Sequence, residues 1–353
     1  MVHAPARPPA GAPPVRINLY SDTQTRPTAA MKDAMFRAEV GDEQHGDDPT
    51  VHALCDRMAA LMGKEAAIFL PSGTMCNVVA ILTHCGKGDE VVAHETAHIL
   101  FSEGGAHAAF TGVQIMPLKG AGGMFTADDV RAAIRPKTRY TPPQRLLEVE
   151  QTANIGGGKV WPLAQLNAVA AVAHGEGWAT HMDGARLMNA CVAAGVAPKD
   201  MVASYDSVWL DFTKGLGAPL GAVLCGSSDF IGAAWRWKQR LGGSMRQAGS
   251  APPPVSMRWT TMSTGWRKTT PTPRRWPAAC GRSRGWWSRS RRPTWCSSTS
   301  RGRLRRTDPA APAGHAGVAV SGLGGRVRAC THLDVTAPMI EEAIGLIRAA
   351  LHG

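Results

Sequence analysis

Four short segments carry residue types that could do chemistry together. In LPSGTMCNV, Ser72, Gly73 and Thr74 form a small-residue turn ahead of an apolar run. Unbonded N–H groups and hydroxyls at a helix start can cradle a phosphate, although a plain helix cap has the same composition. In HMDGAR, Asp183 stands just past an apolar run with Arg186 close behind. A buried carboxylate needs a cationic partner, either Arg186 in a structural pair or the protonated nitrogen of a bound ring. In VWLDFTKGLGAPLGAVLCG, Lys214 follows an apolar run and precedes a glycine-rich segment. A lysine so placed can lose its charge by desolvation and attack an aldehyde as a free amine; the alternative is a surface loop lysine. The fourth segment, His94-Glu95-Thr96-Ala97-His98, matches the zinc pattern H-E-x-x-H. That chemistry needs both histidines on one helical face. Here the pattern directly follows the strand signal GDEVVA, so no metal is expected, and stacking on a ring suits His98 better.

Positioning these groups calls for alternating strands and helices. Short apolar runs predict strands at 66–70, 90–93, 113–118, 146–150, 178–182, 208–212 and 222–225, with helices at 74–83, 162–174 and 185–194 between several of them. Such alternation implies an α/β fold: a mostly parallel sheet of about seven strands, covered on both faces. All four chemical segments then stand at carboxyl ends of strands, where ligands bind in open α/β sheets. Together they suit pyridoxal phosphate. The turn would take its phosphate, Asp183 its ring nitrogen, His98 its ring face and Lys214 its aldehyde.

The charge balance narrows the partners. Of 39 Lys and Arg against 27 Asp and Glu, 13 Arg and one Lys fall between Arg258 and Arg306, where no acid occurs. Elsewhere 25 basic residues face 27 acidic ones, so the net charge of +12 is local. Arg with interleaved Trp could bind single-stranded nucleic acid, but a near-neutral remainder argues against nucleic acid as a partner. The same stretch holds six of the 11 Trp and only Leu304 from among Leu, Ile, Val and Phe. It is therefore not expected to form a packed strand or helix face. Its abrupt edges fit a GC-rich gene read out of frame from within 250–258 to within 306–317, and a disordered basic insertion is the alternative. Patterning returns at Gly317 with two strand signals, then the amphipathic APMIEEAIGLIRAALHG. The expected organisation is a disordered extension over 1–16 and a cofactor-binding large domain over 17–250. The aberrant stretch at 251–316 then replaces part of a small C-terminal α/β domain, whose remainder is 317–353. Eight cysteines without CxxC spacing, no secretory h-region and no membrane-length apolar run lead us to expect a cytoplasmic, membrane-free protein.

Taken together, NLYSDTQTRPT, VGDEQHGDDPTV, FLPSGTMCN, HETAHI, EGGA, EVEQTANIGGGKVWP, HMDGARLMNA, DFTKGLGAPLG, WKQRLGGSMRQAG and RVRACTHLDVT resemble the threonine aldolases among fold-type-I pyridoxal-phosphate enzymes. The resemblance spans about 17–249 and 317–353. It implies a lyase that cleaves β-hydroxy-α-amino acids to glycine and an aldehyde, with other reactions on the same scaffold (β-elimination, transamination, decarboxylation) as alternatives. By the same resemblance Lys214 is the Schiff-base lysine, Asp183 the partner of the pyridine nitrogen, and Ser72, Gly73 and Thr74 the phosphate turn. His98 would stack on the ring, and His94 or His98 would serve as base. Ser21, Arg186 and Arg328 would bind the substrate carboxylate, Arg246 would reach a phosphate, and the chain would form a homotetramer or homodimer. Two positions depart from the pattern: Ala153 stands where many relatives have His, and His45 where many have Tyr. An out-of-frame 251–316 would also make this chain less stable or less active than an in-frame one.

Overall fold

The computed structural model describes residues 14–251, 295–298, 313–315, 317–323 and 326–352. In chain order its strands are β1 (Ile17–Asn18), β2 (Ala66–Leu70), β3 (Glu90–His94), β4 (Gln114–Leu118), β5 (Gln144–Glu150) and β6 (Ala179–Gly184). They continue as β7 (Ser207–Asp211), β8 (Ala222–Gly226), β9 (Trp295–Ser298), β10 (Ala313–His315), β11 (Val318–Leu323) and β12 (Arg326–Cys330). The seven strands expected from sequence form one sheet in the order β2-β8-β7-β6-β5-β3-β4. Neighbours from β4 through β7 pair in parallel, while β8 runs antiparallel to both β7 and β2. Every residue of β3, β7 and β8 is buried. Strands covered on both faces read as unbroken apolar runs, which made this sheet visible in the sequence.

Capping chemistry sets the helices that frame the site. The Ser72 hydroxyl accepts the Met75 N–H at 3.2 Å and starts the helix Gly73–His84. The helix Leu163–Gly175 begins after Pro162, and Leu187–Ala194 ends at Gly195 in the left-handed region at φ 68°. The latter starts two residues later than its sequence pattern suggested, because β6 continues to Gly184. His94 ends β3 and His98 opens the short helix His98–Phe101, so the H-E-x-x-H pattern does not lie on one helical face.

The chain divides into two units: Pro27–Met262, which carries the seven-stranded sheet, and Met1–Arg26 with Ser263–Gly353. Residues 17–26, grouped by sequence with the large domain, belong to the second unit, because β1 pairs in parallel with β11 at Ile17 and Val318. There Ile17, Leu19, Val318, Ala329, Val335, Ile340, Ala343 and Ile344 form a core with the helix Ala337–His352. Most of the Arg/Trp-rich stretch and of the N-terminal extension lies outside the described residues. One expectation for that stretch is corrected: Trp295–Ser298 pairs with β12 as an antiparallel strand. Ladder hydrogen bonds come from the backbone and do not require aliphatic side chains. No helix among the described residues is long and apolar enough to cross a membrane.

Candidate active site

Trp209, in β7, is the wedge around which the first unit's polar groups gather. Its register partner in β6 is Asp183, which is buried. Two glycines let the backbone close on it. A Cβ at Gly73 would lie 2.2 Å from Trp209 Cη2, and one at Gly184 would lie 2.1 Å from the Trp209 carbonyl oxygen. The indole N–H donates to Asn77 Oδ1 at 2.7 Å. An indole can only donate, so the Asn77 amide is oriented, with its NH2 facing two carboxylates. That NH2 donates to Asp183 Oδ2 at 3.0 Å and to Glu103 Oε1 at 2.7 Å. Glu103 in turn holds His98 Nδ1 at 2.8 Å, and Asp183 Oδ1 accepts the Ala185 N–H at 3.0 Å. The sequence-predicted Asp183 and His98 are thereby brought into one network, their ligand atoms and those of Glu103 lying within 4.8 Å of one another.

Lys214 flanks the same indole. Its Nζ stands 5.6 Å from the Trp209 ring centroid and pairs with Asp211 Oδ2. Asp211 is fixed by accepting, through Oδ1, both the Thr213 N–H and the Thr213 hydroxyl at 2.7 Å. The glycine-rich segment then turns back: Gly217, at φ 74°, donates its N–H to the Lys214 carbonyl at 2.9 Å.

Burial shapes the ionisation of the surrounding acids. Glu148, fully buried with neither carboxyl oxygen hydrogen-bonded, is pushed well above the usual carboxylate range by desolvation and then by the charges of Asp183, Glu150 and Glu103. Glu150 is pushed up to about 7 by desolvation and Asp183, against the Asn154 N–H, His98 and Arg186. For His98, burial opposes the charge, but the Glu103 hydrogen bond and the nearby acids hold its imidazole above the ordinary value. Arg186 is buried and its charge acts on Glu150.

The remaining sequence candidates are placed differently. Both nitrogens of His94 are engaged: Nδ1 accepts the Thr96 N–H at 3.0 Å and Nε2 meets the Gly120 carbonyl at 3.0 Å. Its ring stacks on Phe125 at 6.4 Å, so His94 organises a loop. Arg246 is exposed and pairs with Asp42 at 2.8 Å. Ser21 and Arg328 belong to the second unit, where both approach Asp22 Oδ1, at 3.4 and 3.6 Å. Ala153 is buried against Gly123, where a Cβ would meet its own at 2.2 Å; His45 is exposed. Sequence reasoning missed Asn77, Glu103, Glu150, Trp209 and Asp211. Two of them left a signal: a lone amide in the apolar run MCNVVAIL and a lone acid in VWLDF.

Residues 18–279 match the family model of beta-eliminating lyases. Over 234 residues the chain is 44% identical to low specificity L-threonine aldolase of Escherichia coli (strain K12), covering 66% of this chain and 69% of that protein. The chain belongs to the threonine aldolase branch of the beta-eliminating lyases. It is also 42% identical over 237 residues to low-specificity L-threonine aldolase 1 of Arabidopsis thaliana, covering 66% of each. The solved threonine aldolase of Leishmania major shares the fold at TM-score 0.74 and 16% identity, covering 95% of this chain and 99% of that one. Serine palmitoyltransferase of Sphingomonas wittichii shares it at TM-score 0.66 and 18% identity, covering 95% and 86%.

The residues of this lyase fit pyridoxal phosphate. Asp183, buried and held by Asn77 with Glu103 and His98 beside it, is the carboxylate that a protonated ring nitrogen would face. The Gly73 and Thr74 amides open a helix where the ladder offers no carbonyl, a setting suited to phosphate. The Lys214 amine, only 14% exposed, is the nucleophile an aldehyde requires.

Proposed function

We propose that the chain is a pyridoxal-phosphate-dependent carbon–carbon lyase that cleaves β-hydroxy-α-amino acids to glycine and an aldehyde. The single observation that carries this reading is the placement of Asp183 and Lys214 about one indole, Trp209, at the ends of adjacent parallel strands. When bound, the cofactor stores the electron pair released as the Cα–Cβ bond breaks. Asp183, Asn77 and Glu103 hold the ring side of the site, while the amides and hydroxyls of Ser72, Gly73 and Thr74 take the phosphate. Lys214 would supply the amine that holds the cofactor aldehyde, and Asp211 orients it. Arg186 binds the substrate carboxylate, fixing which Cα bond aligns for cleavage. The Glu103 bond at Nδ1 orients the His98 ring, so Nε2 is the atom at which a proton is held or moved for the β-hydroxyl. His94, with both nitrogens engaged, serves the loop that carries His98.

For Ser21 and Arg328, the carboxylate-binding role expected from sequence makes Arg328→Leu raise KM for threonine. Exposed Phe36, Phe101 and Phe110 support a homodimer or homotetramer, in which Arg246 reaches a neighbouring copy's phosphate; light scattering decides the size. Free thiols such as Cys76, Cys191 and Cys225 suit a reducing cytoplasm.

The test is incubation with pyridoxal phosphate and L-threonine, L-allo-threonine or L-phenylserine. Equal amounts of glycine and aldehyde are expected. Ammonia with an oxo acid would instead favour β-elimination, the reaction that the matched family's description names.

A further inference from the structure

Beneath the helix Gly73–His84, polar side chains continue past Asp183 toward the opposite end of the sheet. His181, in β6, brings Nε2 to Asn77 Oδ1 at 3.3 Å and Nδ1 to Ser207 Oγ at 2.8 Å. Ser207, the first residue of β7, is also 2.8 Å from His84 Nε2 at the last helical position. His181 and Ser207 are wholly buried. The seven helical steps from Asn77 to His84 span about 10 Å of helix axis.

The polarity of this chain follows from its one obligate donor. Trp209 fixes Asn77 Oδ1 as an acceptor. His181 must therefore donate to it from Nε2, which leaves Nδ1 as the acceptor of the Ser207 O–H. The Ser207 oxygen then accepts from His84 Nε2. Burial pushes His181 down to about 3 and His84 down to about 4, so each ring is neutral, with one N–H and one lone pair. Every donor hydrogen along the line faces Asp183, and aligned bonds polarise one another.

We propose that His84, Ser207 and His181 form a one-way hydrogen-bond relay that acts through Asn77 to hold the Asp183 carboxylate for its cofactor. They are positioning residues, since they reach Asp183 only through Asn77. The relay gives a physical reason for burying the His181 imidazole and the Ser207 hydroxyl, with His84 half-buried beside them, where aliphatic side chains would pack without polar cost. The inference rests on the reading of Asp183 given above, so its test has one arm that does not need activity.

In the cofactor-free full-length chain, nitrogen-15 NMR should find His181 and His84 protonated at Nε2 and bare at Nδ1. Protonation of His181 at Nδ1, or a cationic ring near neutral pH, overturns the relay. In the loaded enzyme, Ser207→Ala should lower kcat about tenfold and His84→Phe about threefold, with KM unchanged. His84→Gln, which keeps a donor at the same reach, should recover most of the loss. Unchanged kcat in both disrupting variants overturns the relay. So does a loss that Gln fails to relieve. If Ser207→Ala does not fold, the His84 pair and the wild-type spectrum still decide. The stated tautomers in a wild type that cleaves no β-hydroxy amino acid would support the relay and sink the activity.

Discussion

The two faces of β5, β6 and β7 are built from alternating residues of the same strands, yet their chemistry is opposite. One face carries Glu148, Glu150, His181, Asp183, Ser207, Trp209 and Asp211; the other carries Leu147, Val149, Met182, Val208 and Leu210. Both are buried. Thr180, a buried polar residue on the second face, bonds Asp206. Burial alone therefore does not distinguish the faces. The apolar face stabilises the fold by transfer and packing, whereas the polar face incurs desolvation and recovers it through specific partners. A polar row in a sheet covered on both sides marks where function has displaced stability.

Substitutions on either face put that contrast to the test. The largest effect is expected from Asp183→Asn, which keeps the shape and removes the charge: kcat should fall on the order of a hundredfold with KM little changed. A loss below threefold would remove Asp183 from the chemistry. On the apolar face, Met182→Ala should cost about 2–5 kcal/mol by denaturant unfolding, with kcat per folded molecule unchanged. A kcat loss matching that of Asp183→Asn would erase the contrast. Gly73→Ala tests the seam at Trp209. Its Cβ must displace the indole, so about 1–3 kcal/mol of stability and much of the cofactor affinity should go together. Tight cofactor binding in that variant would contradict the wedge role of Trp209.

The smallest effect concerns Glu148. Its carboxyl keeps its proton in the folded chain at pH values where the unfolded chain, near the ordinary 4.5, has released it. The unfolded state thus binds fewer protons, and stability falls as pH rises above that value. Glu148→Gln lacks this penalty, so its melting temperature should exceed wild type near neutrality, with the gap closing toward pH about 4.5. A constant gap would show that Glu148 is charged or partnered in the folded protein.

The sequence revealed the sheet more fully than the site, for a physical reason. Apolar runs such as EVVA, VWL and AVLC need only local pattern to be recognised, and all became buried strands. Lys214 and Asp183 were legible as charges at the ends of such runs. Asn77, Glu103 and Trp209 were not, because their roles arise where a helix, a loop and a strand meet, and no local spacing encodes that meeting. His94 and His98 illustrate the limit. Four positions apart in one pattern, one closes a loop and the other joins the acid network. For 251–316, the proposal of an out-of-frame segment is tested by reading the encoding DNA in the other frames, where a Leu/Val-rich acidic segment should reappear.

The proposed chemistry depends on a covalent bond at one lysine. Pyridoxal phosphate should be added to the full-length chain, followed by borohydride and peptide mass mapping. The reduced adduct is expected on the peptide containing Lys214, and is expected to disappear in Lys214→Ala. An unmodified Lys214, or an adduct carried by another lysine, would contradict it.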